Sequence, residues 1–138
     1  MKKKKLNRLE KAKLKVNSRY WRNKADAEWS ISVRHSAVCI VCGRTDKLQA
    51  HHLISRWVLP LRHNLNNGVA MCPTCHKWDR KISGHQGPMG LAWLLQRQRP
   101  EQWAWLMGVY DRWDEIAKEP VDFQQAFMRL NYKLTSNV

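Results

Sequence analysis

The chain lacks any run approaching the roughly 18 consecutive apolar residues that a membrane-spanning helix needs. Its longest candidates, Leu91 to Leu95 and Trp103 to Tyr110, are short and flanked by charge, so no membrane partner is expected. It also lacks the apolar segment of a secretory leader, because Met1 is followed by Lys2-Lys3-Lys4-Lys5 and then by more charge. The expectation is a soluble protein in a reducing, cytoplasmic compartment, where disulfides are not the natural use of cysteine. Acidic residues are scarce, with 11 Asp and Glu against 25 Lys and Arg. No internal repeat is present, so the two similar cysteine pairs are halves of one site.

The positive charge is unevenly placed. Residues 1–24 hold eleven Lys and Arg against Glu10 alone, residues 25–85 hold eight against four acids, and residues 86–138 hold six of each. The field therefore belongs to the N-terminal arm and the cysteine region. A polyanion is its natural partner, since neutralised phosphates release condensed counterions; the bland alternative is a solvated tail that serves solubility. At 138 residues with 43% hydrophobic content, the chain can bury one modest core with extensions. We divide it into a basic arm (1–30), a core (31–86) and a helical extension (87–138) packed on that core.

Cys39-x-x-Cys42 and Cys72-x-x-Cys75 supply four thiolates in two knuckles. That set closes a tetrahedral zinc site with no open position, so the metal clamps the fold. The nearby His51, His52, Asn67 and His76 are then free for chemistry. Val38 to Gly43 reads as a β-flanked knuckle and Leu48 to Ile54 as a strand carrying His51 and His52. Pro60 to Gly68 reads as a loop and Val69 to Met71 as a second strand. A helix follows from near Cys72, with Pro73 in its first turn, carrying Cys75, His76 and Trp78. Leu6, Leu9, Val16 and Tyr20 recur at near-helical spacing, which predicts a helix in the arm once its repulsion is damped. Beyond the breaker-rich residues 83–88, helices are expected from Met89 to Gln98, from Glu101 to about Lys118, and from an Asp122 N-cap with Gln125 three residues on. Their helix-spaced aromatics read as packing faces rather than base-stacking platforms.

Cys39-Ile-Val-Cys42-Gly43, Gln49-Ala-His51-His52-Leu-Ile54 and Asn67-Gly-Val-Ala-Met-Cys72-Pro-Thr-Cys75-His76 resemble the HNH endonucleases of the zinc-stapled ββα-metal type, over about residues 37–82. The resemblance implies an α+β fold: a small ββα-metal core with the four-cysteine zinc site, a basic N-terminal helix or arm, and a helical C-terminal extension. It implies a metal-dependent DNA endonuclease that hydrolyses phosphodiesters by a one-metal mechanism. A weaker similarity, from Leu61-Arg62 through Ser83-Gly84-His85 and the helical tail, is to phage recombination nucleases of the Rap type. That similarity implies DNA processing for a phage or mobile element, in the host cytoplasm.

By the HNH analogy His52 is the general base, an imidazole having its ordinary pKa near neutrality. His51 and His76 would hold one catalytic divalent cation, and Asn67 would orient the loop and the base. Mn2+, Ni2+, Co2+ and Zn2+ suit imidazole ligands better than Mg2+, which stays open as a weaker activator. Adjacent strand residues face opposite ways, so an exchange of roles between His51 and His52 stays open. Arg80 stands where relatives carry a further metal ligand, leaving Asp79, His85 or water for that position. Asn64 and Asn66 compete with Asn67 by register, and His35 and His63 read as surface or loop histidines. DNA contacts are expected from Lys2, Lys3, Lys4, Lys5, Arg8, Lys11, Arg56, Arg62, Lys77, Arg80 and Lys81, with RNA left open as a substrate. A homodimer or a phage DNA-processing complex also stays open. Two other readings compete: a zinc ribbon that binds nucleic acid without cutting it, and a docking module whose tryptophan-rich tail exposes an apolar patch over residues 89–134.

Overall fold

The computed structural model describes residues 5–136, so Lys2, Lys3 and Lys4 lie outside the described residues. In chain order it runs α1 (Arg8–Lys13), α2 (Arg19–Arg34), β1 (Gln49–His52), β2 (Gly68–Met71), α3 (Pro73–Lys77), α4 (Pro88–Gln98), α5 (Pro100–Asp111), α6 (Trp113–Ile116) and α7 (Phe123–Ser136). The strands form one antiparallel pair, with His51 opposite Val69 and His52 opposite Gly68. The result is an α+β fold with a small two-stranded sheet, helices at both ends and the four cysteines gathered together. No helix among the described residues is long and apolar enough to cross a membrane.

The arm folds as two helices rather than one. Asn7 and Glu10 form a reciprocal capping box at the start of α1, which satisfies two of the N–H groups that a helix start leaves unpaired. The chain then breaks before α2, leaving Leu6, Leu9 and Val16 at least 40% exposed. α2 runs through residue 30, where the arm was expected to end, and buries Ala25 and Trp29.

The knuckle at 38–43 forms no strand. Cys39 N–H donates to the Arg44 carbonyl at 2.8 Å and Gly43 N–H to the Cys39 carbonyl at 2.9 Å, wrapping the segment into a turn, while Ile40 N–H reaches the Ala70 carbonyl of β2 at 3.0 Å. Gly43 sits at φ +77°, a left-handed conformation that costs other residues about 1–2 kcal/mol. β1 is shorter than the predicted strand because Leu53 and Ile54 turn to bond Asn67 instead of a strand partner.

One continuous core joins the cysteines to the C-terminal helices: Cys39, Cys72 and Cys75 share it with Met71, Leu91, Leu94, Leu95, Leu106 and Val109. Fully burying a leucine such as Leu95 contributes about 1.5–3 kcal/mol. α4 and α5 thus brace the thiol region. The helix expected from Glu101 to Lys118 breaks at Arg112 (φ −117°, ψ 25°), which lets Trp113 stack on Tyr110 with ring centroids 5.5 Å apart while Ile116 buries. α7 starts as predicted, with Asp122 Oδ1 accepting from Gln125 N–H at 2.8 Å. It packs on α2 rather than on the cysteine core: Trp21 and Phe127 lie 5.8 Å apart, and Gln124 N–H reaches the Val16 carbonyl.

Candidate functional site

Cys39 and Cys42 leave the 38–43 turn, while Cys72 caps α3 and Cys75 lies within it. All four are free thiols, and their sulfurs lie within 4.8 Å of one another. Cys42 Sγ and Cys72 Sγ are 3.8 Å apart, matching the edge of about 3.8 Å expected for a tetrahedron with Zn–S bonds near 2.3 Å. Burial, reinforced by the neighbouring sulfurs, pushes the Cys75 thiol well up. Burial also opposes ionisation of Cys39, but backbone N–H groups of Cys42, Cys72 and Val41 outweigh it and hold that thiol at about 7. Four thiolates in so small a volume need a cation to coexist. The set fits a structural zinc.

A second cluster lies at the other edge of α3. His51 Nδ1 is 3.0 Å from His76 Nε2, and His85 Nε2 is 3.2 Å from the same atom. Ring nitrogens sharing a tetrahedral zinc sit about 3.3 Å apart, so one ion fits among the three. The Gln49 side-chain oxygen accepts from His76 Nδ1 at 2.7 Å. That bond fixes the tautomer and leaves the Nε2 lone pair facing the other two rings. Burial, with the neighbouring His76, His85 and His52, holds His51 at about 4; burial, with His85 and Lys77, also lowers His76. Both rings are therefore neutral near pH 7, the state that binds metal.

His85 reaches this cluster from the turn after α3, where the buried Ser83 hydroxyl accepts from Gln86 N–H (2.8 Å) and Gly87 N–H (2.9 Å). Gly84 lies against His51 so closely that a Cβ there would sit 2.5 Å from the ring's Cε1. Of the alternatives for a further ligand, the structure brings in His85. Asp79 is instead occupied in its own turn, accepting from Lys81 and Ile82 N–H.

As strand alternation requires, His52 turns away from His51. Its ring lies flat on the Trp29 indole of α2, centroids 3.8 Å apart and planes 9° apart. His52 Nε2 donates to the Arg62 carbonyl at 2.9 Å, which leaves Nδ1 with the lone pair. Burial lowers its pKa, opposed by the carbonyl and aided by the Arg62 charge. His51 and His52 nevertheless line one open cleft of about 430 Å³ with Ala50, Arg56, His76 and His85. The structure groups His51, and not His52, with His76.

Asn67 is wholly buried. Its side chain accepts from Ile54 N–H at 2.6 Å and donates to the Ile54 and Leu61 carbonyls at 3.1 Å. It therefore pins the loop whose Arg62 carbonyl holds His52. Asn64, by contrast, caps its local turn, accepting from Asn66 N–H.

Arg62 requires a correction. Expected on the DNA-contacting surface, it is 6% exposed and its guanidinium forks onto Asp26 through two 2.7 Å bonds, which take it away from solvent. His63, read as a surface or loop histidine, is also buried and donates to Asp26 at 2.7 Å. Burial opposes ionisation of Asp26, but the side-chain hydrogen bonds from Arg62 and His63 outweigh it and hold the carboxyl well below its ordinary range. The remaining expected contacts are exposed wherever they are described: Lys5, Arg8 and Lys11 on the arm, Arg56 at the cleft, and Lys77, Arg80 and Lys81 at and after α3. Sequence reasoning missed Asp26 and Trp29, which an Ala25–Trp29 pair at i, i+4 in a polar helix could have flagged, and it quoted Gln49 without a role.

No curated protein and no solved structure matches the chain, so the similarity to Rap-type recombination nucleases has no support from relatives. His85 lies just outside the stretch that does have a counterpart. Residues 39–79, from the first cysteine of the first knuckle past His76, match the family model of the HNH endonucleases.

Proposed function

We propose that the chain is a metal-dependent DNA endonuclease that hydrolyses phosphodiesters in the histidine cleft. The observation that carries this reading is the convergence of His51, His76 and His85 nitrogens within 4.8 Å, beside His52 in the same cleft. His51, His76 and His85 would hold a divalent cation, which would supply positive charge against the phosphate and the departing 3′ oxygen. Three imidazoles favour Mn2+, Co2+, Ni2+ or Zn2+ over Mg2+.

His52 is the general base. The Arg62 carbonyl holds the Nε2 proton, so Nδ1 takes the proton of the attacking water, and its lowered pKa keeps it unprotonated near neutrality. Trp29 fixes the plane of that ring from below, while Asn67 and the Asp26–Arg62 pair fix the carbonyl that orients it. Arg56, Lys77, Arg80, Lys81 and the arm supply phosphate affinity without base choice, which makes binding salt-dependent. The reading as a binding-only zinc ribbon leaves the three-histidine cluster and its Gln49-set tautomer without a use.

The test is incubation of supercoiled plasmid with purified protein in Mn2+, in Mg2+ and with no added metal, beside His52→Ala. We expect nicked circles from the parent with Mn2+ and a rate lower by about 10²–10⁴-fold in the variant. Equal nicking by both would remove His52 from the mechanism, and no nicking with any metal would transfer support to the binding-only reading.

A further inference from the structure

A second cavity of about 310 Å³ opens beside the histidine cleft, sharing His51 and His52 with it and bounded by β1, α4 and α5. Its other wall is apolar and aromatic, built from Leu91, Leu95, Trp103, Leu106, Met107 and Tyr110. Helical spacing alone puts Met107 and Tyr110 on a packing face. Here Met107 is 36% exposed and Tyr110 57% exposed, and they line a recess instead of filling it. Tyr110 is nonetheless held in place, its ring stacked on Trp113.

The volume is at the lower end of the range of about 300–1,000 Å³ for small-ligand pockets, the scale of a single heterocycle. Aromatic and apolar walls suit the π-face of a base, which stacks on such surfaces whatever its identity. Continuity with the cleft that Arg56 lines, and in which the proposed divalent cation would sit, directs a phosphodiester, and with it the attached nucleotide, to this mouth. A base paired inside a duplex cannot enter, because it must first leave its stack.

We propose that this cavity holds one unpaired DNA base next to the phosphate in the histidine cleft, so that the preferred substrate is single-stranded or locally unpaired DNA. The proposal rests on the nuclease reading for the position of the phosphate, but the base site has its own readout. The full chain, with its zinc, is titrated by fluorescence anisotropy against a labelled single-stranded oligonucleotide and against the same strand in a matched duplex. Comparing the ratio of the two affinities between the parent and variants with the same arm cancels the arm's unspecific contribution. Cleavage of a duplex containing a bulged base is compared with cleavage of the matched duplex in Mn2+.

The parent should favour the single strand and cut at the bulge. Tyr110→Ala, which removes an exposed ring, and Met107→Trp, which fills the recess, should each lower the single-strand to duplex ratio by about tenfold. Circular dichroism melting checks that both variants fold. Ratios unchanged from the parent in both folded variants, or a parent that prefers matched duplex, would overturn the proposal even if the plasmid is nicked. A parent that cuts nothing would sink the nuclease reading, while the affinity ratios would still decide the base site. Binding to an apolar peptide in preference to any DNA would assign the cavity to a protein partner and also overturn it.

Discussion

Helix α3 carries one donor of each cluster at adjacent positions, Cys75 and His76, and the two side chains enter opposite environments. Successive residues on a helix diverge by about 100°, so a single register sends the thiol inward and the imidazole to the cleft. Cys75 joins Cys39 and Cys72 in the apolar core. His76 is half-buried beside an exposed His85. Four sulfurs fill a tetrahedron, whereas three nitrogens leave a position for something else. Donor count and burial change together, three of the four cysteines being buried and His85 exposed, and on the proposed reading one cluster holds the fold while the other meets a substrate.

The largest effect should come from breaking the cysteine cluster. Cys72→Ser, or removal of the ion by a strong chelator, should abolish cooperative thermal unfolding followed by circular dichroism, because structural zinc sites contribute about 10–16 kcal/mol of apparent binding energy in small zinc peptides. His76→Ala should keep the spectrum of the parent and one zinc per chain by native mass spectrometry. A Cys72→Ser protein with an intact melt, or an unfolded His76→Ala, would erase the distinction between the clusters.

Gln49→Leu sharpens the same contrast at smaller cost. Without its acceptor, His76 loses the bond that fixes its tautomer, and the loss of such an outer partner typically costs about 10–100-fold in metal affinity. Titration calorimetry with Mn2+ should show that fall while zinc content and melting temperature stay at parental values. Unchanged Mn2+ affinity would mean that Gln49 does not orient the ring.

The thiol cluster, the strand–loop–strand–helix order and the Asp122 cap were legible because each rests on spacing within a few residues. The wall behind His52 was not. Asp26 and Trp29 come from a helix whose composition reads as a charged arm, and they meet Arg62 and His52 only when α2 folds across β1. Nothing local to Arg62 marks it as buried, since a buried cation is stable only with a partner, and that partner lies 36 residues away. Asn67 could be separated from Asn64 and Asn66 only by its burial. The break at Arg112 was hidden because Trp113 and Ile116 continue the apolar spacing of α5 while the backbone turns.

Two glycines serve the two clusters by different physics, and replacing each by alanine makes the smallest and cleanest comparison. Gly43 turns the first knuckle at φ +77° with nothing within 4 Å of an added Cβ. Gly43→Ala should therefore lower stability by about 1–2 kcal/mol through backbone strain alone, read as a modest fall in melting temperature with Mn2+ binding unchanged. At Gly84 the backbone shows no positive φ, but an added Cβ would press the His51 ring at 2.5–2.9 Å, so that ring must move. Gly84→Ala should leave the melt near that of the parent and weaken Mn2+ binding and plasmid nicking. If Gly43→Ala instead weakened Mn2+ binding, or Gly84→Ala lowered the melt while sparing it, the two clusters would be coupled through α3 rather than separated by it.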